Sequence, residues 1–277
     1  MSDAPPRVSA IMITGNVIAG APGRAIFERA LQSLAWADEL IVVDSASTDD
    51  TRAVAALYTS NLFVHPYQGS LKRQKQIALQ HVTGDWVFWL DADEVLPDAL
   101  IAEIRQAVRH PQADGYRIFR RHFFIGRPLE HAGDDAPIRL WRRGVGHWDG
   151  PENDEFYVVD GAARLATPME HYSDVRLLLR LQKMAYFAPA HAELTALPAG
   201  PDYSARQVWR YILRPAVQRV YGVYWVERGY KDGVRGLIWA LLCGIMEYYR
   251  WILVWERAQG QAGNPAAAGN PAGGGNQ

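Results

Sequence analysis

Two carboxylates spaced two residues apart follow directly on an apolar run near the middle of the chain. Phe88-Trp89-Leu90 leads into Asp91-Ala92-Asp93-Glu94, so a strand-like segment ends in a group of acids. Oxygen atoms are the ligands that Mg²⁺ and Mn²⁺ prefer, and such cations are commonly held by one or two carboxylates together with substrate phosphates. The pattern predicts a divalent metal on Asp91 and Asp93 that holds a phosphate-bearing substrate.

A further carboxylate, Asp44, ends a second apolar run, Leu40-Ile41-Val42-Val43. A carboxylate in this place can accept a hydrogen bond from the N3–H of a uracil or thymine ring. Capping of the following helix is the alternative role, although Ser47, Thr48 or Asp49 can fill it equally well. The chain therefore offers one acid for reading a base and two for holding phosphates through a metal.

The elements around these acids alternate between strands and helices. Apolar runs predict strands at 8–14, 40–43, 61–65 and 86–90, and helical spacing predicts helices at 24–36, 71–81 and 97–109, followed by a strand at 115–121. This alternation favours a parallel sheet whose strands end at one edge, where ligands of open α/β sheets bind. We expect an α/β domain with a mixed, mostly parallel sheet and helices on both faces.

The last third of the chain has a different character. We expect the α/β domain to end at residue 172, a helical region to occupy 173–258, and a disordered Gly/Asn/Pro/Ala tail to follow at 259–277. The segments 208–226 and 237–255 mix aromatic and aliphatic residues with arginines and lack the uninterrupted apolar length of a spanning helix. They suit helices lying in a membrane interface, and packing against the α/β domain is the alternative.

Composition limits the classes of protein to consider. The chain has 277 residues, of which 49% are hydrophobic, and a net charge of −1, which gives no reason to expect a nucleic-acid partner. The lone Cys243 excludes an internal disulfide and favours a reducing compartment. The first residues lack the basic and then apolar layout of a secretory signal. We expect a cytoplasmic protein.

These segments resemble the family 2 inverting glycosyltransferases of the GT-A fold. Residues 36–51 look like the nucleotide-binding strand and loop of that family, and residues 83–94 look like its metal strand. One branch, which contains the lipopolysaccharide core β1,4-glucosyltransferases, is similar in three more motifs: Arg139-Leu140-Trp141-Arg142-Arg143-Gly144, His171-Tyr172-Ser173 and Arg228-Gly229-Tyr230-Lys231-Asp232-Gly233. The chain departs from the branch after the first strand, where no pair of glutamates follows Asn16.

The resemblance implies a reaction and its partners. A hexose, glucose in this branch, passes from a UDP-sugar to a lipopolysaccharide-core or other lipid-linked glycan at the inner face of the cytoplasmic membrane. Mg²⁺ or Mn²⁺ is held by Asp93, Asp91 and His171 and stabilises the departing diphosphate. Asp91 binds the metal directly or through water, or contacts the ribose instead, and contact with the diphosphate is the alternative for His171. Contacts to the nucleotide sugar are expected from Thr14, Asn16, Asp44, Ser45, Lys75, Asp91, Ala92 and Arg142.

The base that takes the proton of the acceptor hydroxyl is expected in the segment before residue 156. Glu155 is the first choice, because it lies between a Trp/Gly/His loop and a strand, where the resemblance places the catalytic acid. Glu152 and Asp154 are close alternatives.

Basic and aromatic side chains nearby have two interpretations each. Lys72 to Lys75 and Arg139 to Arg143 can bind phosphates, or they are solvated charges on a helix and on a surface strand. Trp141 and Trp148 can stack on sugar rings or belong to the core.

Two other functions compete. Asp91-Ala92-Asp93-Glu94-Val95 also fits the signature of haloacid-dehalogenase-type phosphatases, in which the first Asp is a nucleophile. That motif normally lies on the first strand of its domain, whereas three β/α units precede it here. A catalytically silent, membrane-associated binding protein is the other alternative.

Overall fold

The computed structural model describes residues 5–20, 22–132, 135–149, 156–174, 181 and 203–262. The chain forms two compact units, Met1–Leu181 and Gln182–Gln277. Glu152, Asp154 and Glu155 lie outside the described residues, and so does nearly all of 175–202, the first part of the expected helical region.

In the first unit, the described chain alternates strands with helices before a strand-rich second half. The strands are β1 (Val8–Thr14), β2 (Glu39–Asp44), β3 (Leu62–Val64), β4 (Trp86–Trp89), β5 (Glu94–Val95), β6 (Gly115–Arg117), β7 (Arg120–Phe124), β8 (Arg127–Pro128), β9 (Ile138–Arg142), β10 (His147–Asp149), β11 (Phe156–Val158), β12 (Ala163–Arg164) and β13 (Met169–Asp174). The helices are α1 (Arg24–Ser33), α2 (Thr51–Ala55), α3 (Leu71–Gln80) and α4 (Asp98–Arg109).

Seven of the described strands form one sheet in the order β12-β6-β9-β4-β1-β2-β3. Strand β9 runs antiparallel to both of its neighbours, and the other pairings are parallel. Thr14 is in register with Asp44, and Ile11 with Trp89, so β1, β2 and β4 end at one edge. The predicted mixed, mostly parallel sheet is confirmed, and the acids Asp44 and Asp91 lie at the same edge of it.

Apolar side chains fill both faces of this sheet. One cluster packs Met12, Phe88 and Leu140 with α1 and α4, and the other packs Ile11 and Trp89 with α3 and β11. A strand covered on both faces needs apolar residues at every position, which is why the predicted strands read as unbroken apolar runs.

A smaller sheet, in the order β5-β13-β7-β8, extends the ligand edge. Its register places Glu94, His171 and His122 in one row across three strands. The single strand expected at 115–121 is wrong, because the chain leaves the large sheet after Arg117 and enters the small one at Arg120.

The second unit is a helical hairpin in its described part. Its first arm, residues 205–226, joins α5 (Ala205–Val208), a π-helical turn (Trp209–Leu213), α6 (Arg214–Tyr221) and a second π-helical turn (Gly222–Val226). The first π-helical turn lies immediately before Pro215, whose ring nitrogen cannot donate to the carbonyl four residues earlier. A 3₁₀ turn, Gly229–Asp232, leads into the second arm, α7 (Gly233–Ala262).

Two features of the second arm bear on the expected helical region and tail. Helix α7 continues to Ala262, into the segment expected to be disordered, while residues 263–277 lie outside the described part. By length and composition alone, Gly229–Gln259 could cross a membrane, since an 18-residue window within it has a mean hydropathy of 1.5. Glu247 and Arg250, which interrupt this apolar stretch, are paired with each other at 2.5 Å.

Candidate active site

The loops that follow β1 and β2 are held together by hydrogen bonds. The side-chain oxygen of Asn16 accepts hydrogen bonds from the backbone N–H of Thr48 at 2.8 Å and of Asp49 at 3.4 Å. The backbone N–H of Asn16 donates to the Ser47 hydroxyl, and that of Val17 donates to the Thr51 hydroxyl. The two loops, residues 15–18 and 45–51, are therefore tied together at the ligand edge of the sheet, and we call them the rim.

Asp44 is the centre of this rim rather than an exposed contact. Its carboxylate is fully buried and accepts hydrogen bonds from the Thr14 hydroxyl at 2.8 Å, the Ser47 backbone N–H at 2.7 Å and the Ser47 hydroxyl at 2.6 Å. In this structure the acid holds the loop through Thr14 and Ser47. Its expected contact with a uracil ring stays a prediction.

Ser45 lies half-buried beside that carboxylate, where the chain turns away from β2. Its backbone N–H donates to the carbonyl of Thr14 at 2.8 Å. A Cβ atom on Gly15 would lie 3.3 Å from the Cβ of Ser45, so a larger residue at position 15 would crowd the two strand ends. Thr14, Asn16, Asp44 and Ser45 are thus brought together as predicted, with Thr14 and Asp44 on the inside.

The acids after β4 are held by a buried cation. Arg139 on β9 donates from Nη2 to Asp91 Oδ2 at 2.7 Å and to Glu94 Oε1 at 2.5 Å. Its side chain is 2% exposed, that of Glu94 is fully buried, and that of Asp91 is 30% exposed. The backbone N–H of Asp91 donates to Glu94 Oε2 at 3.0 Å, which closes the turn. Arg139 therefore lies inside the protein and not on the surface strand that was the alternative.

The pKa values of the Asp91 and Glu94 carboxyls are shifted in opposite directions. Burial favours the neutral form of Asp91, but the positive charges of Arg139 and Lys75 outweigh it and hold the pKa of Asp91 below its usual value. Burial raises the pKa of Glu94, even though Arg139 and Arg120 lie beside it. Asp91 is the more acidic member of the pair, and it faces the ligand edge.

Asp93 and a pair of histidines form the next group. His171 Nε2 lies 3.6 Å from Asp93 Oδ2, and His171 Nδ1 lies 3.1 Å from His122 Nδ1. One of the two Nδ1 atoms must donate to the other, so His122 fixes the orientation of the His171 ring. Nε2 of His171 is thereby directed to the same side as the Asp93 carboxylate.

Across the described residues, no three His, Cys, Asp or Glu side chains converge closely enough to complete a cation shell. Of the expected trio, Asp93 and His171 approach each other, whereas Asp91 Oδ2 is bound to Arg139. The role of the three residues in holding a cation stays a prediction. Asp93 and His171 alone still suit a divalent cation that takes its remaining ligands from substrate phosphates and water, which is how Mg²⁺ is usually held beside phosphates.

Lys75 belongs to the site although it comes from a run of charges. It is 6% exposed, and its Nζ lies 4.0 Å from the ring centre of Trp89 and 5.1 Å from that of Trp148. Arg139 lies over the same Trp89 ring at 4.4 Å. Two buried cations therefore flank Trp89, directly before the acidic turn, and Ala92 of that turn packs against the core.

Arg142 is not brought to the other predicted residues. Strand β9 runs antiparallel to β4 and pairs Arg142 with Trp86, at the beginning of β4, and Arg142 donates to Asp114 at 2.8 Å. The expected contact of Arg142 with the nucleotide sugar is wrong, because three residues of an antiparallel strand carry it away from the ligand edge. Trp141 belongs to the core, with 1% of its surface exposed.

The three acids expected to include the base lie between described strands. Strands β10 and β11 pair as an antiparallel hairpin, with Asp149 opposite Phe156. Trp148 on this hairpin packs edge-on against Trp89, with ring centres 5.3 Å apart. The strands that carry the segment 150–155 are thus anchored beside the acidic turn.

Sequence reasoning missed Glu94, His122 and Arg120 as parts of the site. Glu94 belongs to the acidic motif, but the sequence predicts no role for it. Only the pairing of β5, β13 and β7 places His122 and Arg120 beside it, and strand pairing across 49 to 77 residues leaves no local signal in one sequence. Arg139 had a signal, since an Arg two residues before Trp141 on an apolar strand faces the same side of the sheet.

The model of the family described as Glycosyl transferase family 2 matches residues 9–149. The lipopolysaccharide core biosynthesis glycosyltransferase LpsC of Rhizobium meliloti (strain 1021) is 33% identical over 135 residues, which cover 45% of this chain and 49% of LpsC. An uncharacterised glycosyltransferase of Rickettsia felis is 34% identical over 132 residues, 47% of this chain and 43% of the relative. The match thus covers about half the length of these relatives.

Solved structures show more distant similarity. The mannosyltransferase PcManGT of Pyrobaculum calidifontis, in complex with GDP-Man and Mn²⁺, is 15% identical with a TM-score of 0.49, over 92% of this chain and 88% of that one. S. aureus TarS 1-349 is 14% identical with a TM-score of 0.45, over 92% of both chains. The family match spans the rim, the acidic turn and Arg139 alike. The chain belongs to glycosyl transferase family 2.

Proposed function

We propose that the chain is a metal-dependent inverting glycosyltransferase that moves a hexose from a UDP-sugar to a lipopolysaccharide-core or other lipid-linked glycan. The observation that carries this proposal is the approach of His171 Nε2 to Asp93 Oδ2 at 3.6 Å, beside an Asp91 carboxylate held by Arg139. Membership of the family supports sugar transfer, and the relative named for lipopolysaccharide core biosynthesis supports the acceptor class.

Asp93 and His171 are the residues that would hold the cation. One carboxylate and one imidazole suit Mn²⁺ better than Mg²⁺, which prefers oxygen ligands throughout. When bound, the cation offsets negative charge on the diphosphate as the bond from sugar to phosphate breaks. The positive charges of the buried Arg139 and Lys75 side chains act in the same direction from the protein side.

The remaining steps fall to the rim and to the segment between β10 and β11. The backbone groups of the rim, held in place by Asp44 and Asn16, are the surface on which the nucleoside would lie. Glu155, or Glu152 or Asp154, would take the proton of the acceptor hydroxyl as its oxygen attacks the anomeric carbon opposite the phosphate. The glycan acceptor would be reached at the cytoplasmic face of the membrane.

The phosphatase alternative does not agree with the fold. Asp91 follows the fourth strand along the chain, and its Oδ2 is bound to Arg139, so the carboxylate is not free to attack phosphorus. Family membership points the same way.

A panel of UDP- and dTDP-sugars, assayed with Mn²⁺ for release of the nucleotide diphosphate, tests the proposal. One UDP-hexose should be hydrolysed in a Mn²⁺-dependent reaction, and EDTA should stop it. Glu155→Gln should abolish transfer while nucleotide-sugar binding remains. Release of phosphate from simple phosphomonoesters, with no turnover of any nucleotide sugar, would overturn it.

A further inference from the structure

The helical hairpin exposes one row of large apolar side chains on each arm. The exposed fractions reach 61% at Tyr221 on the first arm and 66% at Val234 on the second. The first row is Trp209, Leu213, Val217, Tyr221 and Trp225, and the second is Val234, Leu237, Leu241, Ile245 and Tyr248. A spacing of four would drift around an α-helix of 3.6 residues per turn, but the wider π-helical turns at both ends of the first arm counteract the drift.

The two rows lie on the same side of the hairpin. The arms touch where Gly244 meets Val220 and the carbonyl of Ala216, so closely that a Cβ on Gly244 would lie 2.3 Å from Val220 Cγ2. On each arm the exposed row comes one residue after such a contact position, as Tyr221 follows Val220 and Ile245 follows Gly244. One residue is a rotation of about 100°, and in two antiparallel helices this rotation turns both rows to the same side.

Positive charge accompanies this apolar face. Residues 203–277 contain nine Lys and Arg against four Asp and Glu, a net charge of +5, whereas the preceding 202 residues have a net charge of −6. Arg206, Arg210 and Arg214 are exposed, and each precedes a member of the first row by three residues, which makes them neighbours on the helix surface. Their aliphatic stems can lie along apolar surface while the guanidinium groups reach phosphate oxygens.

The hairpin fits the surface of a bilayer better than its interior. The first arm carries four arginines within 14 residues and packs along the middle of α7, near Gly244. A helix with this many charges is costly in hydrocarbon, and it would have to cross together with its partner. A one-sided apolar face flanked by arginines is the pattern of helices that lie at the headgroup level.

We propose that this face of the hairpin, the two apolar rows with Arg206, Arg210 and Arg214 beside them, binds the surface of a bilayer that contains anionic lipids. The arginines contact lipid phosphates and the rows enter the acyl boundary. This inference does not depend on the sugar-transfer chemistry. It identifies the part of the chain that would keep the enzyme near a lipid-linked acceptor.

Vesicle flotation with the full chain tests the proposal. Wild type should float with phosphatidylglycerol-containing vesicles, float at least tenfold less with pure phosphatidylcholine, and be released by raised salt or alkaline carbonate. The triple variant R206Q/R210Q/R214Q should lose most of the binding. The matched control R52Q/R105Q/R109Q removes three exposed arginines from the first unit and should float like wild type.

The apolar rows are tested separately with V217D/I245D, against the control L57D, which alters an exposed leucine of the first unit. Loss of flotation in the double variant alone supports the proposal. Where that variant does not fold, the arginine triple still decides. Equal flotation with neutral and anionic vesicles, retention through carbonate, or a lipid-independent dimer through this face would overturn it. UDP-sugar hydrolysis in lipid-free buffer reports the proposed function independently.

Discussion

Asp44 and Asp91 occupy equivalent places in the fold, each at the carboxyl end of a parallel strand, yet the protein holds them in opposite ways. Asp44 is fully buried and receives neutral hydrogen bonds from Thr14 and Ser47. Asp91 is partly exposed and is bound to the Arg139 guanidinium. A carboxylate enclosed by neutral donors holds a loop in place, whereas Arg139 and Lys75 hold the pKa of Asp91 low and keep that carboxylate charged at the ligand edge.

Asp93→Asn should have the largest effect on activity. It removes a carboxylate oxygen from the pair with His171, and we expect kcat/KM for Mn²⁺-dependent UDP release to fall by about 10²- to 10³-fold. The matched control is Asp85→Asn, an exposed acid that accepts the Arg7 backbone N–H at the start of β4. An Asp93→Asn enzyme with wild-type turnover would contradict the assignment of Asp93 to the cation.

Arg139→Met should have the largest effect on stability. It leaves the carboxylates of Asp91 and Glu94 together without their shared cation, and we expect a loss of about 3–5 kcal/mol in the free energy of unfolding. Urea denaturation measures it. Arg142→Met, three residues along the same strand but half-exposed, should change stability by no more than about 0.5 kcal/mol. Equal losses in the two variants would mean that burial of the ion pair is unimportant.

Asp44→Asn should affect stability and leave metal binding unchanged. The amide keeps the shape of the carboxylate, and the hydroxyls of Thr14 and Ser47 can rotate to accept from it, so we expect a loss of about 1–2 kcal/mol. Mn²⁺ affinity measured by calorimetry should match wild type. A large fall in that affinity would show that the two acids are not separate in function.

Glu39 is a further carboxylate that neutral donors hold, as they hold Asp44. Its substitution should have the smallest effect on stability, and that effect should depend on pH. Burial raises its pKa, but hydrogen bonds from Ser9, Thr83 and Gly84 outweigh this and hold the pKa of Glu39 below its usual value. Because its pKa is depressed in the folded state, the ionised carboxylate stabilises the fold at pH values above the unfolded-state pKa of about 4.3. This stabilisation is lost as the pH falls through the folded-state pKa. The stability difference between wild type and Glu39→Gln should be about 1 kcal/mol at pH 7 and shrink towards pH 3. A difference that does not vary with pH would contradict this assignment.

The sequence predicted the frame of the site more fully than its chemistry. Apolar runs and helical spacing located β1 to β4 and the helices between them, and parallel pairing then put Asp44 and Asp91 at one edge. Whether those acids are buried or open depends on side chains that fold in from elsewhere. Arg139, His122 and Arg120 come from later strands, and no local pattern encodes that approach.

Register explains the predictions that were wrong. Arg139 and Arg142 lie three residues apart on β9, and the antiparallel direction of that strand alone puts one at the ligand edge and the other at the far side. No pattern in the run Arg139-Leu140-Trp141-Arg142 indicates the direction of β9 in the sheet. The break between β6 and β7 could not be predicted either, because the pattern of polar and apolar residues continues unchanged from one sheet into the other.

Titration of Mn²⁺ into the protein with UDP present, followed by calorimetry, tests the central claim most directly. We expect one Mn²⁺ per chain, with affinity at least tenfold weaker in Asp93→Asn and in His171→Gln and unchanged in Asp44→Asn and Asp85→Asn. Absence of saturable Mn²⁺ binding in wild type, or equal affinity in Asp93→Asn, would contradict the assignment of Asp93 and His171 to the cation.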